Sequence, residues 1–262
     1  MSRKESYALS GKTQEFYTPD YRVVTIREQN GEDEEILSNS KNLLKGDAIN
    51  FFLSRIIMTV DGDKVSTDDV LNLKNKTKYY ILLKSRLLSL GNEITYKHKC
   101  SNPNCPKPQG LPDTTFEEDL DLYDLNFDPA NTVEKAPFKY RVTPYPDKST
   151  HRLLTLGTGK ELKYKYLTGV EEKKLIEMPA DQLNKNTDIV VRQLEWKQET
   201  GTWVKVQNFR DFSSKEMAEI RKDIVAHDMP FEAVSECTCP YCNTTDLISL
   251  MSQSDFFFPG EM

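Results

Sequence analysis

Two short cysteine clusters, far apart along the chain, constrain its fold more than any other feature. The first is Cys100-Ser101-Asn102-Pro103-Asn104-Cys105 and the second is Cys237-Thr238-Cys239-Pro240-Tyr241-Cys242; together they hold all 5 cysteines. A structural zinc ion takes four soft or borderline ligands in a tetrahedron, and two turn-borne pairs of thiolates supply them while the intervening chain folds separately. Cys239 and Cys242 have the two-residue spacing of such a pair, with Pro240 in the turn, and the Asn-Pro-Asn insert between Cys100 and Cys105 is turn-forming sequence. The expected metal ligands are therefore Cys100, Cys105, Cys239 and Cys242. Two further residues stay open as ligands. Cys237 has the same spacing to Cys242 as the first pair, and strand alternation puts His98 on the face of Cys100.

An odd cysteine count, with an opening Met1-Ser2-Arg3-Lys4-Glu5-Ser6 that lacks the apolar core of a signal peptide, argues against a disulfide framework. A catalytic zinc keeps one position open for water and usually has His or carboxylate ligands with a base nearby. Here four thiolates are available and no His-Glu-x-x-His pattern accompanies them, so the ion is expected to be structural and no catalytic residue is assigned. Gly157-Thr158-Gly159-Lys160 has the glycines and lysine of a phosphate loop, but Glu161 stands where the hydroxyl should be. His98, His151 and His227 are scattered and no hydrolase motif surrounds them. A net charge of -6 and a pI near 5.3 give no general support for binding a nucleic-acid backbone. No apolar run approaches membrane-spanning length, so no membrane anchor is expected and the protein should be cytoplasmic when made.

The pattern of elements predicts an α+β fold. Residues 1–44 form an N-terminal arm with one strand at Tyr21–Ile26, followed by the acidic run Asn30–Glu35 as a solvated loop. Residues 45–91 are helical. Apolar spacing from Ala48 to Ile57 gives one helix, Ser66 or Thr67 opens a second, and a third runs from Lys78 to Leu90, with Gly91 in the place of a left-handed C-cap. The period then switches to alternation at Glu93–Lys99 and again at Thr114–Leu122, and a matching pair of strands brackets the second cluster. Residues 92–125 and 231–255 are thus expected to form a zinc-ribbon-like β unit. Between them, residues 126–230 form a large insertion, a mixed but mostly helical subdomain. Within it, strand-like residues lie at Phe138–Thr143, His151–Leu156 is a strand or short helix, Leu162–Tyr166 and Glu171–Glu177 are helical, and Asp188–Gln198 is helix or strand. Trp196 and Trp203 flank a hairpin turn. Ser213 and Glu216 form a capping box that opens a helix ending near His227-Asp228-Met229-Pro230. Residues 256–262 form an aromatic tail, with Phe256, Phe257 and Phe258 packed either on the chain's own core or into a partner.

The helical segment ending Tyr79-Tyr80-Ile81-Leu82-Leu83-Lys84-Ser85-Arg86-Leu87-Leu88-Ser89-Leu90-Gly91, the strand into Cys100 and Cys105, and the acidic Asp119-Leu120-Asp121-Leu122 resemble, in that order, the T4-type bacteriophage baseplate family of hub and hub-assembly proteins in contractile tails. The resemblance covers residues 45–125 and the second cluster near 237–250. It implies a non-enzymatic structural or assembly protein with Cys100, Cys105, Cys239 and Cys242 on a structural Zn²⁺. Its partners would be other tail or baseplate proteins (hub, spike or tape measure), contacted through the aromatic termini and the insertion. Its place would be the virion baseplate, or the host cytoplasm during assembly. The alternative is a zinc-ribbon nucleic-acid-binding or transcription-associated factor. That reading needs a basic ribbon face, and Lys97, Lys99, Lys107 and Lys135 are opposed by Glu117, Glu118, Asp119, Asp121 and Asp124.

Overall fold

Val23–Arg27 alternates between buried and half-buried residues and forms β2, the strand on which the N-terminal sheet is built. In the computed structural model, which describes residues 11–38, 48–120, 127, 144–184, 186–228, 233–252 and 256, β2 lies between β1 (Thr13–Tyr17) and β3 (Ile57–Val60). A short β4 (Asp63–Lys64) completes the antiparallel order β1-β2-β3-β4. Asp61 and Gly62, with φ of 52° and 89°, form the two-residue β3–β4 turn, which needs left-handed backbone.

The acidic run expected as a solvated loop is instead the start of α1 (Gly31–Ser38). Asn30 and Asp33 cap it reciprocally: the Asn30 amide donates to Asp33 Oδ2 at 2.9 Å and the Asp33 amide to Asn30 Oδ1 at 3.2 Å. Asp33 is fully buried and accepts from Arg27 Nη1 at 2.7 Å and Arg55 Nε at 2.8 Å. Burial pushes its carboxyl up, but the hydrogen bonds from the two arginines outweigh that and hold it below the usual range. Acidic residues in a first helical turn also meet the positive end of the helix dipole.

Three helices follow, as the spacing predicts: α2 (Ala48–Ile56), α3 (Thr67–Leu71) and α4 (Asn75–Leu90). Ser66 caps α3 in a capping box with Asp69. α4 is covered on nearly every side, so its buried residues include Lys76, Lys78, Lys84 and Arg86 as well as Tyr80 and Leu83. Buried ammonium groups need partners: Lys76 Nζ donates to the His227 carbonyl at 2.6 Å, and Lys78 Nζ to Asn50 Oδ1 at 2.9 Å and Glu172 Oε2 at 2.6 Å. Gly91 has φ 80° but ψ −173°, so it ends the helix in an extended glycine conformation rather than the left-handed cap expected. Arg86 turns back to donate to the Gly91 and Glu93 carbonyls.

Two two-stranded hairpins come next in the core, β5 (Glu93–His98) with β6 (Thr114–Asp119), and β11 (Val234–Thr238) with β12 (Thr245–Ser249). They share one apolar core with β2, α2 and α4, through Ile94, Tyr96, Cys237 and Ile248 among others. Phe16 and Phe256 are buried in this same core. These aromatic residues near the two termini are therefore spent on the chain's own packing and not presented to a partner.

The insertion has a different organising element from the one expected. Leu162–Tyr166 is not helical: β8 (Glu161–Lys165) pairs with β7 (His151–Thr155) and β9 (Glu195–Lys197), and β10 (Trp203–Lys205) closes an antiparallel sheet of order β7-β8-β9-β10. The alternating burial of Leu162 and Tyr164 explains the strand. Helices α5 (Gly169–Glu177), α6 (Thr187–Val191) and α7 (Ser214–Asp228) accompany the sheet. A second core of Leu156, Leu162, Tyr164, Ile189, Leu194, Met217, Ile220 and Ile224 joins it to α6 and α7. Trp203 lies opposite Lys197, and Trp196 opposite Val204, so the tryptophans flank the turn without pairing directly. Gly157-Thr158-Gly159-Lys160 makes the β7–β8 turn, and Thr158 and Lys160 both bind Glu216 there, which accounts for its composition. The insertion seats on α4 closely. The Asn75 amide donates to the Leu167 carbonyl at 2.8 Å, and a Cβ on Gly169 would lie 2.9 Å from Asn50 Oδ1 and 3.0 Å from both the Leu71 carbonyl and Lys78 Nζ.

The calls on Tyr7, Asp121, Leu122, Asp124, Lys135, the Phe138–Thr143 strand, Met229, Pro230, Phe257 and Phe258 lie outside the described residues.

Candidate metal centre

Each hairpin carries one cysteine pair at the end of its first strand. After β5 the chain turns at Asn102, whose side-chain Oδ1 accepts the Asn104 amide at 2.9 Å and whose carbonyl accepts the Cys105 amide at 3.1 Å. After β11 the Asn243 amide donates to the Cys239 carbonyl and the Cys239 amide to the Thr244 carbonyl, both at 2.9 Å. Asn243 has φ 56°, a left-handed position that asparagine tolerates better than most residues. Both turns point their sulfurs inward.

The sulfurs of Cys100, Cys105, Cys239 and Cys242 all lie within 4.8 Å of one another. The Cys100–Cys242 separation is 3.5 Å and the Cys105–Cys239 separation 3.7 Å. In a tetrahedral thiolate site with Zn–S near 2.3 Å, the sulfurs stand about 3.8 Å apart. The four ligand atoms therefore have the spacing of a closed tetrahedral set, and the residues fit the ion expected of them.

Proton affinities in the cluster diverge, as they must when four thiols crowd together. Contacts with the Thr244 hydroxyl and amide hold Cys242 down at about 6. The Asn102 amide favours the Cys100 thiolate, yet desolvation and the neighbouring sulfurs push that thiol up to about 12. The Cys242 thiolate forms readily, while those of Cys100 and Cys105 need a cation beside them.

Neither reserve ligand joins the cluster. Cys237 is 1% exposed and its sulfur is 2.8 Å from the Tyr96 hydroxyl, inside the core between the hairpins. Cys237 lies within β11 itself, whereas Cys239 and Cys242 lie in the turn beyond the strand. His98 instead bonds through Nε2 to Asp246 Oδ2 at 2.7 Å. The same carboxylate accepts the Ser101 amide at 3.0 Å and the Ser101 hydroxyl at 2.5 Å. Asp246 thus fastens the second hairpin to the first knuckle, and these hydrogen bonds, chiefly that from the Ser101 hydroxyl and then that from His98, hold its carboxyl down at about 2. Sequence inspection missed this brace because a lone aspartate on a strand carries no spacing signal.

No protein-family profile, curated protein or solved structure matches this chain. What is known of the centre rests on its own geometry. Elsewhere, His151 Nδ1 contacts the Thr150 hydroxyl at 2.8 Å and His227 Nδ1 lies 3.1 Å from Asp223 Oδ1, so the three histidines belong to separate local networks. Among the described residues, no helix is long and apolar enough to cross a membrane.

Proposed function

We propose that this chain is a non-enzymatic structural or assembly protein whose two hairpins are fastened as a zinc ribbon by one structural Zn²⁺. The observation that carries this reading is the closed set of four sulfurs at tetrahedral spacing on two knuckles distant in sequence. Such a set leaves no open position for water or substrate, and its metal contributes folding free energy directly. When bound, the ion would supply a rigid cross-link between the hairpins; Cys100, Cys105, Cys239 and Cys242 would hold it, and Asp246 would orient the first knuckle.

The resemblance of residues 45–125 to baseplate hub and hub-assembly proteins supports a role in a contractile phage tail, in contact with a hub, spike or tape-measure protein. The acidic β6 residues Glu117, Glu118 and Asp119 on the first hairpin favour this over a nucleic-acid-binding ribbon. Because Phe16 and Phe256 are buried, partner contacts fall to the surface of the insertion, where Leu153 and Val225 are exposed.

Native mass spectrometry tests both levels. One zinc per chain, lost with a strong chelator, is expected, together with a defined complex with a tail protein of the same genome. A chain that folds without metal overturns the structural-zinc reading. A zinc-bound chain that binds none of those proteins overturns the baseplate reading alone.

A further inference from the structure

Where the insertion meets the N-terminal sheet, the structure leaves a cleft of about 310 Å³ lined by residues from β2's approach, the α3–α4 junction and the insertion. Its size is at the lower end for small-molecule sites. Four of its lining residues are basic, Arg22, Lys74, Lys148 and Lys165, against one carboxylate, Asp20. Two of the cations are already matched: Lys165 pairs with Glu171 at 2.8 Å, and Arg22 faces Asp20 at 3.6 Å. Asp20 is also engaged by the hydroxyls of Thr18 and Thr77, at 2.7 and 2.8 Å.

Neither of the other two cations donates a hydrogen bond to a described residue. Lys74 is 6% exposed, yet its ammonium has no hydrogen-bond acceptor among the described residues. Its ion-pair partner Asp20 is 4.0 Å away, Asp147 and Asp228 act on it from farther off, and the rings of Tyr145 and Tyr166 lie beside it, with centroids at 4.2 and 4.9 Å. Tyr166 is 1% exposed and its hydroxyl is likewise without a hydrogen-bond partner among the described residues. Lys148 is exposed and makes no ion pair with a described residue. Lys74 and Tyr166 both line the cleft, and a buried ammonium and a buried hydroxyl without acceptors carry a cost that a bound acceptor would offset. A phosphate group carries close to two negative charges and several strong acceptor oxygens. It therefore meets the charge of Lys74 and Lys148 and the donor of Tyr166 together, which a single carboxylate does only in part.

We propose that this cleft binds a doubly charged oxyanion, the phosphate group of a small molecule, with Lys74 and Tyr166 as its buried donors and Lys148 as its exposed one. The site shares no residue with the cysteine cluster and stands whether or not the chain acts in a phage tail. Isothermal titration calorimetry of the full chain with inorganic phosphate, at constant ionic strength with chloride as the balancing anion, tests it. Saturable one-to-one binding is expected. Lys74→Met should weaken it about tenfold or more, and Lys148→Ala and Tyr166→Phe about three- to fivefold, the size of one ordinary net hydrogen bond each. Lys148 is exposed, so its variant folds even if Lys74→Met does not. Absence of saturable binding at millimolar phosphate overturns the proposal. So does binding that is the same in the wild type, Lys148→Ala and Tyr166→Phe, which would mean an adventitious ion only.

Discussion

The paired hairpins and the inserted sheet are both small antiparallel β structures, yet they are held together by opposite means. The sheet β7-β8-β9-β10 buries leucines, isoleucines and a tyrosine against α6 and α7, and apolar area of that kind stabilises whatever the redox state or metal supply. The hairpins have two strands each, too few to stand alone in water. Beyond the core they share with α4, the ends that carry the knuckles are joined by four sulfurs and the Asp246 brace. Similar strands can thus rely on a cluster of thiols that fits a metal ion in one region and on packing alone in the other.

The largest test of that contrast is removal of the proposed zinc. Chelation, or Cys239→Ser, should remove much of a binding free energy that in structural zinc sites reaches about 10 kcal/mol. Hydrogen exchange should then show the amides of β5, β6, β11 and β12 unprotected while those of β7 and β8 keep their protection. Equal loss in both regions would mean that they unfold as one unit. The converse experiment is Ile220→Ala, which opens a cavity at a residue with no exposed surface and should destabilise by roughly 2–5 kcal/mol. Zinc stoichiometry by mass spectrometry should be unchanged in that variant. Gly169→Ala attacks the seat between insertion and α4, where the added methyl meets the Leu71 carbonyl backbone at 3.0 Å. Overpacking there should destabilise by about 1–3 kcal/mol, read by denaturant titration, and larger apolar residues at 169 should be worse.

Acid separates the regions in a second way. Glu216 is held at about 2, chiefly by the Ser213 amide and by Lys160, against an ordinary 4.5. Because the folded value is the lower one, its contribution is complete above 4.5 and is lost as the pH falls towards 2. Protons compete with metal for thiolates well before that. On acidification from neutrality, zinc release followed with a metallochromic dye should therefore precede loss of the sheet's circular dichroism. The smallest effect is expected of Cys237→Ser. A hydroxyl can still meet the Tyr96 hydroxyl, so stability should fall by about 1 kcal/mol or less and zinc content should not change. Loss of zinc in this variant would put Cys237 among the ligands.

The cysteine cluster was legible from spacing alone because ligand geometry is a local property of short turns. The choice between Cys237 and Cys239 was left open, since it depends on where β11 ends and the turn begins, and on the Tyr96 hydroxyl that holds Cys237 in the core. Periodicity found α2 and α4, whose apolar residues recur over several turns, and the capping box of α7 was visible as Ser213 with Glu216. It failed at Leu162–Tyr166, where five residues are too few to separate a strand from a helix and only the pairing with β7 and β9 decides. It failed again at Asn30–Glu35. Charge suggested solvent, but Arg27 on the preceding strand and Arg55 from α2 turn Asp33 into a buried anchor. The cleft around Lys74 gave no signal, because its cations come from separate segments that only the docked insertion brings together.

The two knuckles also impose an order of events on synthesis. Cys100 and Cys105 leave the ribosome long before Cys239 and Cys242, and the whole insertion is made between them. Chains fold from the N-terminal side as they are made, so the inserted sheet has time to form while the first knuckle still waits for its counterpart. The proposed ion would then close a loop that already contains a folded body. Since the entropy of closing a loop grows only slowly with its length, the insertion is free to lengthen, shrink or be exchanged in descendants of this chain at little penalty to the metal site that encloses it.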